Sequence, residues 1–101
     1  MDLDTIIGKL QNNKFFLSEH AEKEKQADMI TYNEMDKCFT DLELLEDYPN
    51  DSRGHSCLIL GFSDKNNPIH FVIGNLDQEK LLIITMYRPD ENKWINFKKR
   101  K

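Results

Sequence analysis

Residues 68–90, PIHFVIGNLDQEKLLIITMYRPD, decide the fold. Two apolar runs rich in β-branched residues, 69–74 and 81–87, flank the polar connection 75–80, the pattern of a β-hairpin. Pairing centred on that connection sets Ile73 against Leu82, Phe71 against Ile84 and Ile69 against Met86, which makes one apolar face. Alternation then puts His70, Thr85 and Tyr87 on the other face, with Val72 and Ile83 behind them. A slip of one residue would exchange the two faces. Such a hairpin is not stable alone in water, so the remaining chain has to cover it.

Upstream, 44–48 and 56–62 read as two further strands around the turn-rich PNDSRG at 49–54. Ahead of them lie three helical stretches. Leu3, Ile6, Ile7 and Leu10 recur at helical spacing in 2–12, and Phe15, Phe16 and Leu17 then enter the core. Ser18 is placed to cap a polar helix over 18–29, with Ala21 and Met29 as its narrow buried face. Thr31 and Glu34 form a capping box, with Ile30 and Met35 as its hydrophobic staple, for a helix over 32–40 that buries Met35, Cys38 and Phe39. After Pro89, Trp94 and Phe97 at i and i+3 predict a last helical turn laid across the sheet. Helices first and four strands with short links afterwards predict an α+β domain: N-terminal helices packed on a four-stranded antiparallel sheet.

At 101 residues the chain supports one domain, 1–101, with a single two-layer core. No apolar run reaches membrane-spanning length, and MDLDTIIGKL carries acids where a secretion signal carries bases, so a cytoplasmic protein without a membrane partner is expected. Cys38 and Cys57 stand apart from each other and from any histidine at metal-ligand spacing, and read as reduced buried thiols. Charge is uneven. Residues 93–101 carry +5, whereas the first 92 residues, with 9 bases against 18 acids, carry −9. A basic end on an acidic body either holds a polyanion at one edge or is a solvated tail.

There is no phosphate-binding glycine loop, HExxH, paired CxxC or nucleophile elbow, so no cofactor and no metal is expected. Single polar residues remain. His20 falls in the first turn of the second helix, where the dipole disfavours a charged ring. His70 interrupts an apolar strand on the face of Tyr87, and Arg88, held extended before Pro89, alternates away from that face. His55 sits in a turn and reads as incidental.

SEHA at 18–21, EDYPND and RGHSCLILGF at 46–62, PIHFVIG at 68–74, IITMYRPDENKW at 83–94 and the closing FKKRK together resemble domain-of-unknown-function family 4258, which is similar to the RelE/BrnT-type toxin fold. The resemblance covers about residue 16 to the end. It implies N-terminal helices against an antiparallel sheet in a RelE-like two-layer domain. For function it implies a toxin relative, a metal-independent mRNA endonuclease of a toxin–antitoxin system, with RNA as substrate and an antitoxin protein as partner. In that scheme His70 and His20 share the acid and base work, Arg88 meets the phosphate and Tyr87 stacks a base. The alternative is a catalytically silent protein- or peptide-binding domain of the same fold. Glu24 and Asp28 occupy positions where the family usually carries arginine, which reverses the sign a nucleic-acid phosphate needs.

Overall fold

A computed structural model describes residues 2–101. Three helices, α1 (Leu3–Gln11), α2 (Glu19–Ala27) and α3 (Tyr32–Cys38), pack on one face of a five-stranded sheet. Its strands are β1 (Phe15–Leu17), β2 (Leu42–Tyr48), β3 (Ser56–Phe62), β4 (Pro68–Gly74) and β5 (Leu81–Tyr87), in the order β1-β5-β4-β3-β2. β2 to β5 run up and down, each antiparallel to the next. The sheet is nevertheless mixed, because β1 adds to β5 in parallel, Phe16 opposite Leu82. The fifth strand corrects the expected four-stranded antiparallel sheet. Three residues carry no period that separates a short edge strand from core filling.

The register of the β4–β5 hairpin also differs from expectation. Ile73 pairs with Ile83, Phe71 with Met86 and His70 with Tyr87, with a bulge between the first pair and the rest. The extra residue is Ile84. Leu82 and Ile84 therefore leave the helix-facing core for the opposite face, and Ile83 replaces them. The phase change at the bulge returns Met86 to the core and keeps Thr85 and Tyr87 on the side of His70.

The helices are held as their caps dictate. Ser18 Oγ accepts from Ala21 N (3.0 Å) while donating to the carbonyl of bulge residue Ile84 (2.7 Å). Thr31 Oγ1 accepts from Glu34 N (3.0 Å), but the reciprocal half of the expected box is missing because the Glu34 carboxylate turns to Arg88. Ile30 and Met35 are buried in the core. Met29, expected inside, is 78% exposed with a left-handed φ of 54° as the chain turns out of α2. Gly61 is a contact point: a Cβ there would lie 2.8 Å from Cys38 Cβ, so glycine lets α3 rest directly on β3.

Residues 94–100 form a separate small β-hairpin, β6 (Trp94–Ile95) with β7 (Lys99–Arg100), and not the expected helical turn. Asn96 and Phe97 both take left-handed φ, 54° and 63°, and Lys98 N closes the turn on Ile95 O (3.0 Å), as a primed hairpin turn requires. The hairpin lies on the sheet face away from the helices. Lys98 reaches Glu43 (3.2 Å) and Arg100 reaches Glu46 (3.1 Å), both on β2. Part of the basic tail thus folds back on the acidic body.

Candidate functional site

β4 and β5 bring His70 and Tyr87 together as direct cross-strand neighbours. The imidazole is fully buried. Its Nε2 donates to the Phe97 carbonyl (2.6 Å), which fixes the tautomer, and Nδ1 accepts from the Tyr87 hydroxyl (3.1 Å). Trp94 stands edge-on to it with ring centroids 4.5 Å apart, and the Arg100 guanidinium lies 4.7 Å above the indole. Burial pushes the His70 pKa down. The Phe97 hydrogen bond and the Glu46 charge act against that shift, and Arg100 acts with it. The ring is therefore neutral at pH 7, and both nitrogens are engaged inside the protein. Burial likewise raises the Tyr87 phenol.

Arg88, one residue beyond β5, points elsewhere. Its NH1 and NH2 donate to the two Glu34 oxygens (2.7 and 2.8 Å), and Nε donates to the Asp28 carbonyl (3.1 Å). Ser63 Oγ adds a bond to Glu34 (3.0 Å). The Arg88 bonds, led by the hydrogen bond itself, hold the Glu34 carboxyl below its ordinary range. This pair walls a polar cleft of about 340 Å³ that also takes in Thr31, Asn33 and Lys37. With the Nη1/Nη2 edge on Glu34 and Nε on the Asp28 carbonyl, Arg88 has no free bidentate edge for a phosphate.

His20 is 68% exposed on α2 and pairs with Glu24 (3.2 Å). Of the four residues singled out in the sequence, His70 and Tyr87 meet, and Arg88 and His20 each join a different set of partners. Glu34, Trp94 and Phe97 are the members of these clusters that local reading missed. The Glu34 capping position and the Asn96 turn residue were the available signals. His55, in its turn, pairs with Asp47.

Glu24 on α2 and Asp28 at its C-cap have a structural use. β1 ends at Leu17, so β5 beyond Ile83 has no strand on that side. Glu24 Oε1 accepts from Met86 N (3.1 Å) and Asp28 Oδ2 accepts from Arg88 N (3.0 Å), so two acidic side chains continue the ladder that β1 leaves off. Both cysteines are buried, and burial raises each thiol to about 12. Among the described residues no cluster of histidine, cysteine and carboxylates is arranged to hold a metal, and no helix is long and apolar enough to cross a membrane.

A family model described as a domain of unknown function, DUF4258, matches residues 17–88, from the end of β1 to Arg88. No curated protein and no solved structure matches the chain.

Proposed function

The chain belongs to the DUF4258 family, and from that premise we propose that it is a catalytically silent protein- or peptide-binding domain, related by ancestry to the RelE/BrnT-type toxin fold. The observation that carries this reading is the state of His70. A general base must reach the 2′-hydroxyl of an RNA, and an acid must reach the leaving oxygen. His70 is fully buried with both nitrogens bonded, Arg88 is locked on Glu34, and His20 stands on an exposed helix face. Three groups with three separate sets of partners do not surround one phosphate.

The ribonuclease reading, with an antitoxin as partner, is favoured by one arrangement. Tyr87, His70 and the Phe97 carbonyl form a hydroxyl–imidazole–acceptor chain like that of an activated nucleophile or base. That reading requires the β6–β7 hairpin to lift. Incubating the purified protein with RNA tests both. The silent reading expects no cleavage and no growth arrest on expression; cleavage that His70→Gln abolishes overturns it.

A further inference from the structure

β1 is a sheet edge, and among the described residues no strand pairs with its outer side. Leu81 N donates to Lys14 O (2.9 Å) and Ser18 N to Ile83 O (3.0 Å), so the Lys14 carbonyl, the backbone of Phe16 and the Ser18 N–H face β5. By alternation, Phe15 and Leu17 turn theirs outward, two N–H donors and two carbonyl acceptors in line. Their side chains meanwhile pack against the core. A groove of about 410 Å³ follows that side of the strand, between it and Glu22 of α2 and Tyr32 of α3. Phe16, 49% exposed, borders it on the face away from the helices, and Tyr32 borders it on the helix side.

The two edges of the sheet are not alike. β2 carries a bulge at Leu45 and the acids Glu43, Glu46 and Asp47, of which Glu43 and Glu46 are tied to the C-terminal hairpin. Bulges and charges of this kind guard an edge against pairing. β1, Phe-Phe-Leu, has no bulge, no proline and no charge. The groove beside it does have one charged liner. Among the described residues, the Glu22 carboxylate accepts a single side-chain bond, from the Tyr32 hydroxyl at 3.5 Å, while the neighbouring Lys23 pairs with Glu19 (3.4 Å) and Lys25 sits over the Tyr32 ring (4.1 Å).

The geometry points to β1 as the docking strand for an extended segment of another protein, one that alternates β-branched apolar residues with lysine or arginine. The outward backbone groups of Phe15 and Leu17 hold the segment as an added strand. Its residues on the sheet side pack on Phe16, and those on the helix side meet Tyr32 and place a cation on Glu22. This deepens the binding-domain reading and rests on it.

The test is a titration of the full, isotope-labelled chain with a blocked peptide alternating valine and lysine, followed through its amide NMR signals. The Phe15 and Leu17 amides are expected to shift and to gain protection from exchange. Phe16→Glu should weaken binding about tenfold or more while leaving signals outside the groove in place. Glu22→Lys should transfer the preference to the counterpart peptide with glutamate for lysine, which a purely structural role for Glu22 would not do. Shifts confined to β2, no binding at all, or self-association in sedimentation that Phe16→Glu abolishes would each overturn the proposal. Those results leave the silent reading standing unless RNA is also cut, so the two fail separately.

Discussion

Arg88 and Glu34 meet through two parallel hydrogen bonds of 2.7 and 2.8 Å, joining the end of the last long strand to the first turn of α3. Paired forks of this kind are the stronger class of ion pair, although Arg88 remains 36% exposed and solvent weakens the attraction. Glu34→Gln is expected to cost about 1–2 kcal/mol in urea unfolding. The sign with pH follows from the lowered Glu34 carboxyl. Its stabilising contribution is complete above the ordinary value of 4.5 and is lost as pH falls through the folded-state value, so the deficit of Glu34→Gln should close in acid.

His70 gives an opposite kind of residue the same direction of dependence. Folding lowers its pKa from 6.5, so the unfolded chain binds the proton more readily. Stability should be full above pH 6.5 and fall as the pH drops toward the folded-state value. Unfolding free energies measured across that window for His70→Gln should lack this component. Above pH 6.5, His70→Ala should cost about 2–3 kcal/mol, from the lost hydrogen bonds and the space left under Trp94.

Glu24→Arg, which restores the residue type expected from the family resemblance, removes the acceptor for Met86 N. Arginine has no acceptor to offer. Exchange of the Met86 amide should accelerate and stability should fall by about 1–2 kcal/mol, with Glu24→Gln closer to the parent because its amide oxygen can still accept. Equal exchange in all three proteins would show that the bond contributes nothing.

Cys38 and Cys57, buried and raised to about 12, should resist a thiol reagent at neutral pH until the chain unfolds. The labelling rate should therefore rise with denaturant along the unfolding curve. Labelling in the absence of denaturant at the rate of a free peptide thiol would contradict the burial.

The sequence-based reading succeeds where signals are local and fails where partners are distant. Ser18 and Thr31 announce their helices because the cap lies within three residues of the amide it serves. β2 to β5 are visible as apolar runs between turns. Ile84 is not visible as a bulge, because a β-branched residue in an apolar run fits a strand in either phase. Nor is β1, whose three residues gain their identity only from Leu81–Ile83. Trp94 and Phe97 fit a helix by spacing, and the turn at Asn96 decides against it. At the candidate site, alternation alone places His70 with Tyr87 and turns Arg88 away. What seals or binds these side chains, Phe97 and Glu34, lies 27 and 54 positions off in sequence, where no local pattern reaches.

The parallel union of residues 15–17 with 81–83 bears on how the chain assembles. β2 through β5 can zip in sequence, each against its predecessor, across short loops. β1 cannot. During synthesis its three residues leave the ribosome early, and some sixty more must follow before β5, the strand they pair with, exists. β1 therefore docks only after β5 has been made, whereas β2, β3 and β4 can pair as they emerge.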